Sequence, residues 1–335
     1  MFRTVSLVGL LILLFTAFSE GQNVSDAEFQ KLNTELSQYY KSRDFEKALV
    51  AADRIVAIVK ERYGKDHTAT AVVLRNRGYV EIEKGDVKRA EKTFEEAIDI
   101  FKKQKVISKE EGATLAELLE EVGRIRSKED LYGSEGIFKE ALAWREKSNG
   151  PDAVETATPL VFLANIGYWK REYKKSAVLY GRALNAIKKS RGFSKEDVDF
   201  VYYRAQCTYR KAEIEDDFDK LEKSWPKTPH ADVAEKPVTP QPGLVKGGVV
   251  NGKALYLERP KFPAEAGLAG VSGRVTIQVL INENGDVISA CAVAGFHPSL
   301  IEAAEFAAYK SKFSPTKLSG VPVKVSGVIT YNFVP

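Results

Sequence analysis

Hydrophobic and polar residues alternate most clearly at the end of the chain, from Val321 to Phe333. A period of two predicts a β-strand with one buried face. At about 3.3 Å per residue this strand would span roughly 43 Å, more than a small domain usually covers, so part of its edge should lie open. An open edge can bind another chain's strand through main-chain hydrogen bonds, and an edge capped within the domain is the alternative. The predicted partner-binding edge consists of Val323, Lys324, Val325, Ser326, Gly327, Val328, Ile329, Thr330 and Tyr331.

From Val24 to about Leu221 the pattern is helical, and it repeats. Each unit consists of a helix, a short turn such as Glu83–Asp86, and a second helix whose small residue allows close packing. Four such pairs and a final helix from about Lys195 to Leu221 predict a short all-α solenoid, with the last helix as its cap. The small residues recur at steps of 42, 44 and 42 residues, at Ala48, Ala90, Ser134 and Ser176.

These helix pairs resemble tetratricopeptide repeats, and their 42-residue step resembles the longer repeats of kinesin light chains. In the other units the position of Gly78 is occupied by Leu36, Val122 and Ala164. The second unit carries the best match, at Tyr63, Gly64, Lys65, Asp66, His67, Leu74, Gly78, Gly85, Asp86, Ala90, Phe94 and Ala97.

A solenoid of this kind has a concave face lined by the first helix of each pair, and such faces bind extended peptides. For any single residue on that face, a packing or solvated role is the alternative. As a set, exposed aromatic and amide groups favour protein binding. The predicted residues are Asn33, Ser37, Tyr40, Arg75, Tyr79, Asn165 and Trp169.

The first residues of the chain have the pattern of an export signal. Arg3 precedes an apolar run from Val5 to Phe18, and Ser19 and Gly21 follow at the spacing that signal peptidases favour. The run is short for a bilayer core of about 30 Å. We therefore predict a cleaved signal peptide at residues 1–21, with an uncleaved inner-membrane anchor as the alternative.

Composition favours an exported globular protein. A net charge of +4 over 335 residues is small and the basic residues are dispersed, so the sequence does not predict nucleic-acid binding. Two cysteines, Cys207 and Cys291, cannot form a disulfide framework. Two buried free thiols are expected, and one bridge between two different domains is the alternative.

A proline-rich stretch at residues 223–246 predicts an extended spacer between two domains. Residues 247–335 then have the mixed pattern of a small α+β domain. The predicted elements are a hairpin at Asn251–Gly252, strands at Val275–Ile281 and Val287–Val293 joined by a turn at Asn282–Asp286, and a helix around Leu300–Ala308 with a capping box of Ser299 and Glu302.

Several segments of this last domain resemble the C-terminal domain of TonB, in the family's order and over about 80 residues. The resemblance implies a sheet of about three strands with helices on one face. It also implies that the last strand pairs with a short segment of an outer-membrane transporter. The matching segments are Pro260–Ala266, Gly273–Val275, Asn284–Val287, Ala303–Ala304, Phe313–Pro315 and Gly320–Val323.

The chain departs from an energy-transducing TonB in two ways. Its leader lacks a polar residue suited to a membrane motor complex, and a solenoid stands where the family has a long proline-rich stalk. No catalytic, cofactor-binding or metal site is predicted, because His67, His230 and His297 have no ligand neighbours at useful spacing and phosphate-loop and nucleophile motifs are missing.

The sequence therefore predicts a multidomain protein, with repeats at residues 24–222, a linker at 223–246 and a TonB-like domain at 247–335. The function expected from the resemblance is a protein-binding adaptor of the periplasm or cell envelope. Its expected partners are a receptor segment at the last strand and a second protein at the repeats. The alternatives are an energy transducer, which needs a membrane-anchored leader, and a non-transporting periplasmic scaffold whose TonB-like domain only mediates assembly or dimerisation.

Overall fold

The computed structural model describes residues 24–188, 193, 195–224, 245–246, 253–268, 270–295 and 297–334. The predicted signal peptide, most of the predicted linker and the predicted Asn251–Gly252 hairpin lie outside these residues. Contacts between residues divide the chain into two compact units, the first ending at Ile166 and the second beginning at Gly167. The second unit thus holds the last helices of the repeat region as well as the C-terminal sheet, and the predicted domain boundaries stay predictions.

Helices fill the described part of the chain up to Lys223. A short 3-10 helix, Val154–Thr156, precedes the seventh of them. The helices are α1 (Val24–Lys41), α2 (Phe45–Tyr63), α3 (Thr68–Lys84), α4 (Val87–Lys102), α5 (Lys109–Arg126), α6 (Glu135–Asn149), α7 (Ala157–Trp169), α8 (Tyr173–Ile187), α9 (Lys195–Lys211) and α10 (Glu215–Lys223).

The turn inside a helix pair has a recurring form. One residue adopts a positive φ, and the next donates its N–H to the carbonyl five residues earlier, which closes the end of the first helix. The donors are Asp44, Asp86, Glu172 and Ile214. Ile214 lies 42 residues after Glu172, the same step that separates Asp44 from Asp86.

Helices α9 and α10 therefore form a fifth pair, and the prediction of one continuous helix from Lys195 to Leu221 is wrong. Glu213, at φ 60°, reverses the chain between them. Left-handed backbone is usual for glycine and uncommon for glutamate, so the residue type at position 213 carried no signal for this break.

Close packing within the pairs of the first unit depends on small residues. Ala48, Ala90 and Ser134 have no exposed surface, as the repeat alignment predicted. A Cβ at Gly78 would lie 2.3 Å from Cε1 of Phe94, and one at Gly123 would lie 2.9 Å from Cζ of Phe138. Gly123 is therefore the third unit's counterpart of Gly78, and the alignment of Val122 with that position was wrong by one residue.

The second unit contains a four-stranded sheet in the order β1-β8-β3-β4. Strand β8 pairs antiparallel with β3 along its whole length, from Gly273 opposite Phe333 to Ile281 opposite Val325. The sheet strands are β1 (Val245–Lys246), β3 (Gly273–Ile281), β4 (Val287–Ala294) and β8 (Val325–Phe333), and the smaller elements are β2 (Ala254–Tyr256), α11 (Ala264–Leu268), α12 (Pro298–Tyr309), β5 (Lys312–Phe313), β6 (Lys317–Leu318) and β7 (Val321–Pro322).

Helix α12 covers one face of this sheet. Leu300, Ala304, Ala307 and Ala308 pack on a core formed by alternate residues of the strands, as the spacing of small residues predicted. Strand β4 is buried over most of its length, because α9 and α12 both pack on it. The β3–β4 turn at Asn282–Asp286 is confirmed, since Asn282 Oδ1 accepts the amide hydrogens of Asn284 and Asp286.

Two local predictions about the C-terminal domain are wrong. The 13-residue strand from Val321 to Phe333 is interrupted at Val323 and Lys324, because Val321 pairs back with Leu318 in the β6–β7 hairpin. The capping box of Ser299 and Glu302 does not form, because α12 begins at Pro298 with His297 as its N-cap and no side-chain cap hydrogen bond.

Candidate partner-binding sites

The outer side of β8 is the best-formed candidate for a partner-binding edge. On its inner side β8 is fully paired with β3. On its outer side β1 pairs with it in parallel at two positions, Val245 opposite Val325 and Lys246 opposite Ser326. Within the described ranges no strand pairs with the outer side of Gly327–Phe333. Those seven residues offer about 23 Å of main-chain donors and acceptors at the usual rise of a strand.

Side chains along β8 alternate between the core and solvent, as the sequence pattern predicted. The inward residues Val325, Ile329, Tyr331 and Phe333 are buried, whereas Val328, Thr330 and Asn332 are exposed. A strand added beside β8 would therefore lie next to exposed side chains, those of Val328, Thr330 and Asn332, on one face of the sheet only.

The structure places seven of the nine residues predicted for this edge on β8 itself, from Val325 to Tyr331. Val323 and Lys324 precede the strand, and Val323 is buried, with its N–H donating to the carbonyl of Thr316. The binding role of all nine stays a prediction.

Two residues of the predicted concave face meet at one carboxylate. Tyr79 donates a hydrogen bond of 2.6 Å to Glu117 Oε1, and Arg75 Nη1 lies 3.5 Å from Glu117 Oε2. Burial, followed by the charge of Glu117, raises the pKa of Tyr79 well above its ordinary value. Glu117 was not predicted; it lies on α5, 42 residues after Arg75 in the chain.

Next to this group lies a second ion pair, between Glu120 of α5 and Arg145 of α6, each with 12% of its side chain exposed. Arg145 Nε is 2.7 Å from Glu120 Oε1. Burial raises the pKa of Glu120 to about 7, against the opposing charge of Arg145. This carboxylate therefore titrates near neutral pH, which could not be predicted from the sequence because glutamates occur on most helix surfaces.

The other predicted residues of the concave face are less exposed than expected. Tyr40 is buried with its ring against Phe45, at 5.8 Å between centroids. Asn33 is half-buried and donates to the carbonyl of Phe29. Ser37 and Asn165 are half-buried. Aromatic rings on this face therefore pack into the protein, and its binding role stays a prediction.

Trp169, the last predicted residue of that face, belongs to the second unit and helps to surround Arg204 of α9. The guanidinium carbon of Arg204 lies 4.8 Å from the ring centroid of Tyr168 and 5.2 Å from that of Trp169. Its Nη1 is 2.9 Å from Glu305 and its Nη2 is 3.4 Å from Glu302, both on α12. Burial raises the pKa of Glu305, while the Arg204 charge and the Ala292 amide oppose that shift.

Comparison with known families identifies both parts of the chain. Residues 258–335 match the family described as the Gram-negative bacterial TonB protein C-terminal. Residues 37–103 match the tetratricopeptide repeat. Both are binding modules, and no catalytic domain was found. A comparison with curated proteins found no match.

Several solved structures are similar to this chain at low identity. BtubC (BKLC) from P. vanneervenii is 13% identical with a TM-score of 0.47, covering 66% of this chain and 97% of its own. A Podosopora anserina protein described as a kinesin light chain with nearly identical repeats is 11% identical with a TM-score of 0.43, covering 61% and 94%. MamA is 14% identical with a TM-score of 0.40, covering 59% and 90%.

Two negative findings apply to the described residues alone. None of their helices combines the length and apolarity that crossing a bilayer requires. Nor do their His, Cys, Asp and Glu side chains form a group that could hold a metal ion. The matched segments show that the chain has tetratricopeptide repeats followed by a TonB C-terminal domain at residues 258–335.

Proposed function

We propose that this protein is an exported adaptor of the cell envelope that binds one protein at the outer edge of β8 and a second protein at its helical repeats. The first partner would add an extended segment, such as the front segment of an outer-membrane transporter, to the sheet. The observation that carries the proposal is the outer side of Gly327–Phe333, which has no strand partner among the described residues.

An unpaired edge favours strand addition because main-chain groups gain hydrogen bonds without rearrangement of the sheet. The contact of β1 with Val325 and Ser326 supports a parallel orientation for the added strand, since a short segment of this chain already lies there in that direction. Edge strands that are not used for binding are commonly shielded by charged side chains or proline. The exposed residues of β8, Val328, Thr330 and Asn332, are uncharged.

The repeats would hold the second protein on the face that contains Arg75, Tyr79 and Glu117. The hydrogen bond from the buried Tyr79 of α3 to Glu117 of α5 fixes the position of these two helices, and Glu117 stays partly exposed to a partner. The half-buried Asn33 and Ser37 of α1 would supply polar contacts on the same face.

Site-specific photo-crosslinking tests the edge. In one variant of the full chain, benzoylphenylalanine replaces Thr330 of β8. In the matched control variant it replaces Thr276, which lies directly opposite Thr330 on the central strand β3. Irradiation of whole cells should give an adduct with another envelope protein from position 330, and much less from position 276. Equal adducts from both positions, or none, would refute strand addition at β8. An adduct only with a second copy of this chain would support the homodimeric scaffold instead.

Sequencing the mature N-terminus separates the adaptor from an energy transducer. A mature chain that starts near Gln22 is expected, because residues 1–21 have the pattern of a cleaved signal. An intact Met1 in the membrane fraction would contradict this and favour the anchored transducer.

A further inference from the structure

The two cysteines of the chain lie side by side in the second unit. Cys207 is on α9 and Cys291 is on β4, and both are buried free thiols, with 1% and 4% of their surface exposed. They share one cluster with Tyr168. The two thiols hydrogen-bond each other, although the residues are 84 positions apart in the chain.

The surroundings make the two thiols unequal. Tyr168 Oη lies 3.6 Å from Cys207 Sγ, and Ser289 Oγ lies 3.9 Å from Cys291 Sγ. Burial raises the pKa of Cys207, whereas the hydrogen bond from Cys207 lowers the pKa of Cys291. Cys291 is therefore the better nucleophile of the pair, since the thiolate is the reactive form.

Contacts on both sides hold the backbones of α9 and β4 in place. Lys211 Nζ donates to the carbonyl of Ala292 at 3.1 Å. The rings of Tyr203 and Tyr309 stack with 3.6 Å between their centroids. Arg204 forms its ion pair with Glu305 one turn from Cys207. The thiols thus meet at a packed junction that keeps α9 next to β4, and a disulfide can form only between cysteines whose backbones are held close together.

We propose that Cys207 and Cys291 are a redox pair that closes to an intramolecular disulfide between the last helix pair and the sheet when a disulfide oxidant is present. The oxidant reaches the thiols before the junction packs, when the Cys291 thiolate attacks one sulfur of the oxidant's disulfide and releases one thiol, which leaves a mixed disulfide. The Cys207 thiolate then attacks Cys291 Sγ and releases the second thiol. Two electrons and the two thiol protons pass to the oxidant, whose disulfide becomes two thiols.

This link leaves the predicted binding edge free. Strand β4 is at the end of the sheet opposite β8, with β3 between them. The disulfide would act on the attachment of α9 to the sheet, so its formation does not depend on the function proposed for β8.

Thiol counting on the full chain tests the proposal. The protein is reduced, unfolded and refolded with glutathione disulfide as the oxidant and glutathione as the reductant, and free thiols are then counted in denaturant with Ellman's reagent. Both thiols should be lost, and mass spectrometry without reduction should find the Cys207 peptide joined to the Cys291 peptide. Two remaining thiols, glutathione adducts, or disulfides between copies would each overturn the proposal.

Thermal unfolding gives a second readout. A bridge that closes a loop of this length should raise the Tm by about 10 °C, and dithiothreitol should remove that increase. Cys207→Ser and Cys291→Ser should lose the oxidant-dependent shift equally, because either change leaves one thiol. A shift that persists in either variant would mean that the oxidant acts elsewhere. The peptide mapping uses the unaltered chain, so it decides the matter even if a serine variant fails to fold.

Discussion

Arg204 and Glu305 form a buried ion pair, with 2.9 Å between Nη1 and the carboxylate, that joins the fifth helix pair to the helix of the TonB C-terminal domain. Arg204 also lies over the rings of Tyr168 and Trp169. Removal of one member of a buried pair leaves the other charge without compensation inside the protein, which costs far more than the pair itself contributes.

We therefore expect Arg204→Met to lower the free energy of unfolding by about 3 to 5 kcal/mol. The double variant Arg204→Met with Glu305→Gln should lose less, because the neutral amide still accepts the hydrogen bond from the Ala292 N–H. Urea unfolding, monitored by tryptophan fluorescence, measures the free energy of unfolding of both variants. A double variant less stable than Arg204→Met would contradict this explanation.

Stability should also depend on pH through Glu120. Its pKa is about 7 in the folded protein against an ordinary value of 4.5, so between these values the folded state binds the proton more tightly than the unfolded state. The free energy of unfolding should therefore fall as pH rises through this window, by about 2 to 3 kcal/mol from pH 5 to pH 8.

Comparison with Glu120→Gln isolates this contribution, because the variant should lack that part of the pH dependence. Urea unfolding at the two pH values measures it. Glu121→Gln is the control, since it removes the next carboxylate, which pairs with Arg124. A pH dependence lost equally in both variants would argue against Glu120 as its source.

Gly78 and Gly136 make a matched test of close packing. An alanine Cβ at Gly78 would lie 2.3 Å from the ring of the fully buried Phe94, whereas one at Gly136 meets nothing within 4 Å. We expect Gly78→Ala to destabilise the protein by about 1 to 3 kcal/mol and Gly136→Ala to be neutral or stabilising by up to about 1 kcal/mol. Equal effects in denaturant unfolding would mean that α3 and α4 do not pack as closely as described.

Charge at the edge of the sheet should weaken partner binding. Lysine at position 330 would place a solvated ammonium group beside an incoming strand, whereas lysine at position 276 lies one strand further in. In this experiment the crosslinker is placed at position 328, because position 330 carries the substitution. We expect Thr330→Lys to reduce recovery of the crosslinked partner about tenfold, and Thr276→Lys to reduce it much less. Unchanged recovery with Thr330→Lys would exclude this part of β8 from the interface.

Local pattern and spacing predicted much of this fold from the sequence. The 42-residue step of small residues predicted the helix pairs, since each small side chain allows one close helix contact. Alternation along β3 and β8 predicted which residues face the core, and Asn282–Asp286 predicted the turn after β3. These features depend on residues near one another in the chain or on a repeated distance.

Features that depend on the tertiary structure could not be predicted in this way. The neighbourhood of Cys207 and Cys291 arises because α9 packs on β4, and a single sequence carries no period or spacing that relates those two segments. Glu213 gave no turn signal because only its backbone angle is unusual. Val323 and Lys324 continue the alternating pattern of a strand, so the interruption before β8 could not be predicted from that pattern.

The packing of α9 on β4 also has a mechanical consequence. If a bound partner exerts tension on β8, the load passes by shear through the antiparallel ladder to β3 and β4, and from there into the helix that bears Arg204. The terminal sheet and the last helix pair would thus respond together to a pull from outside, so traction on the end of the chain reaches the helix pair that precedes the sheet.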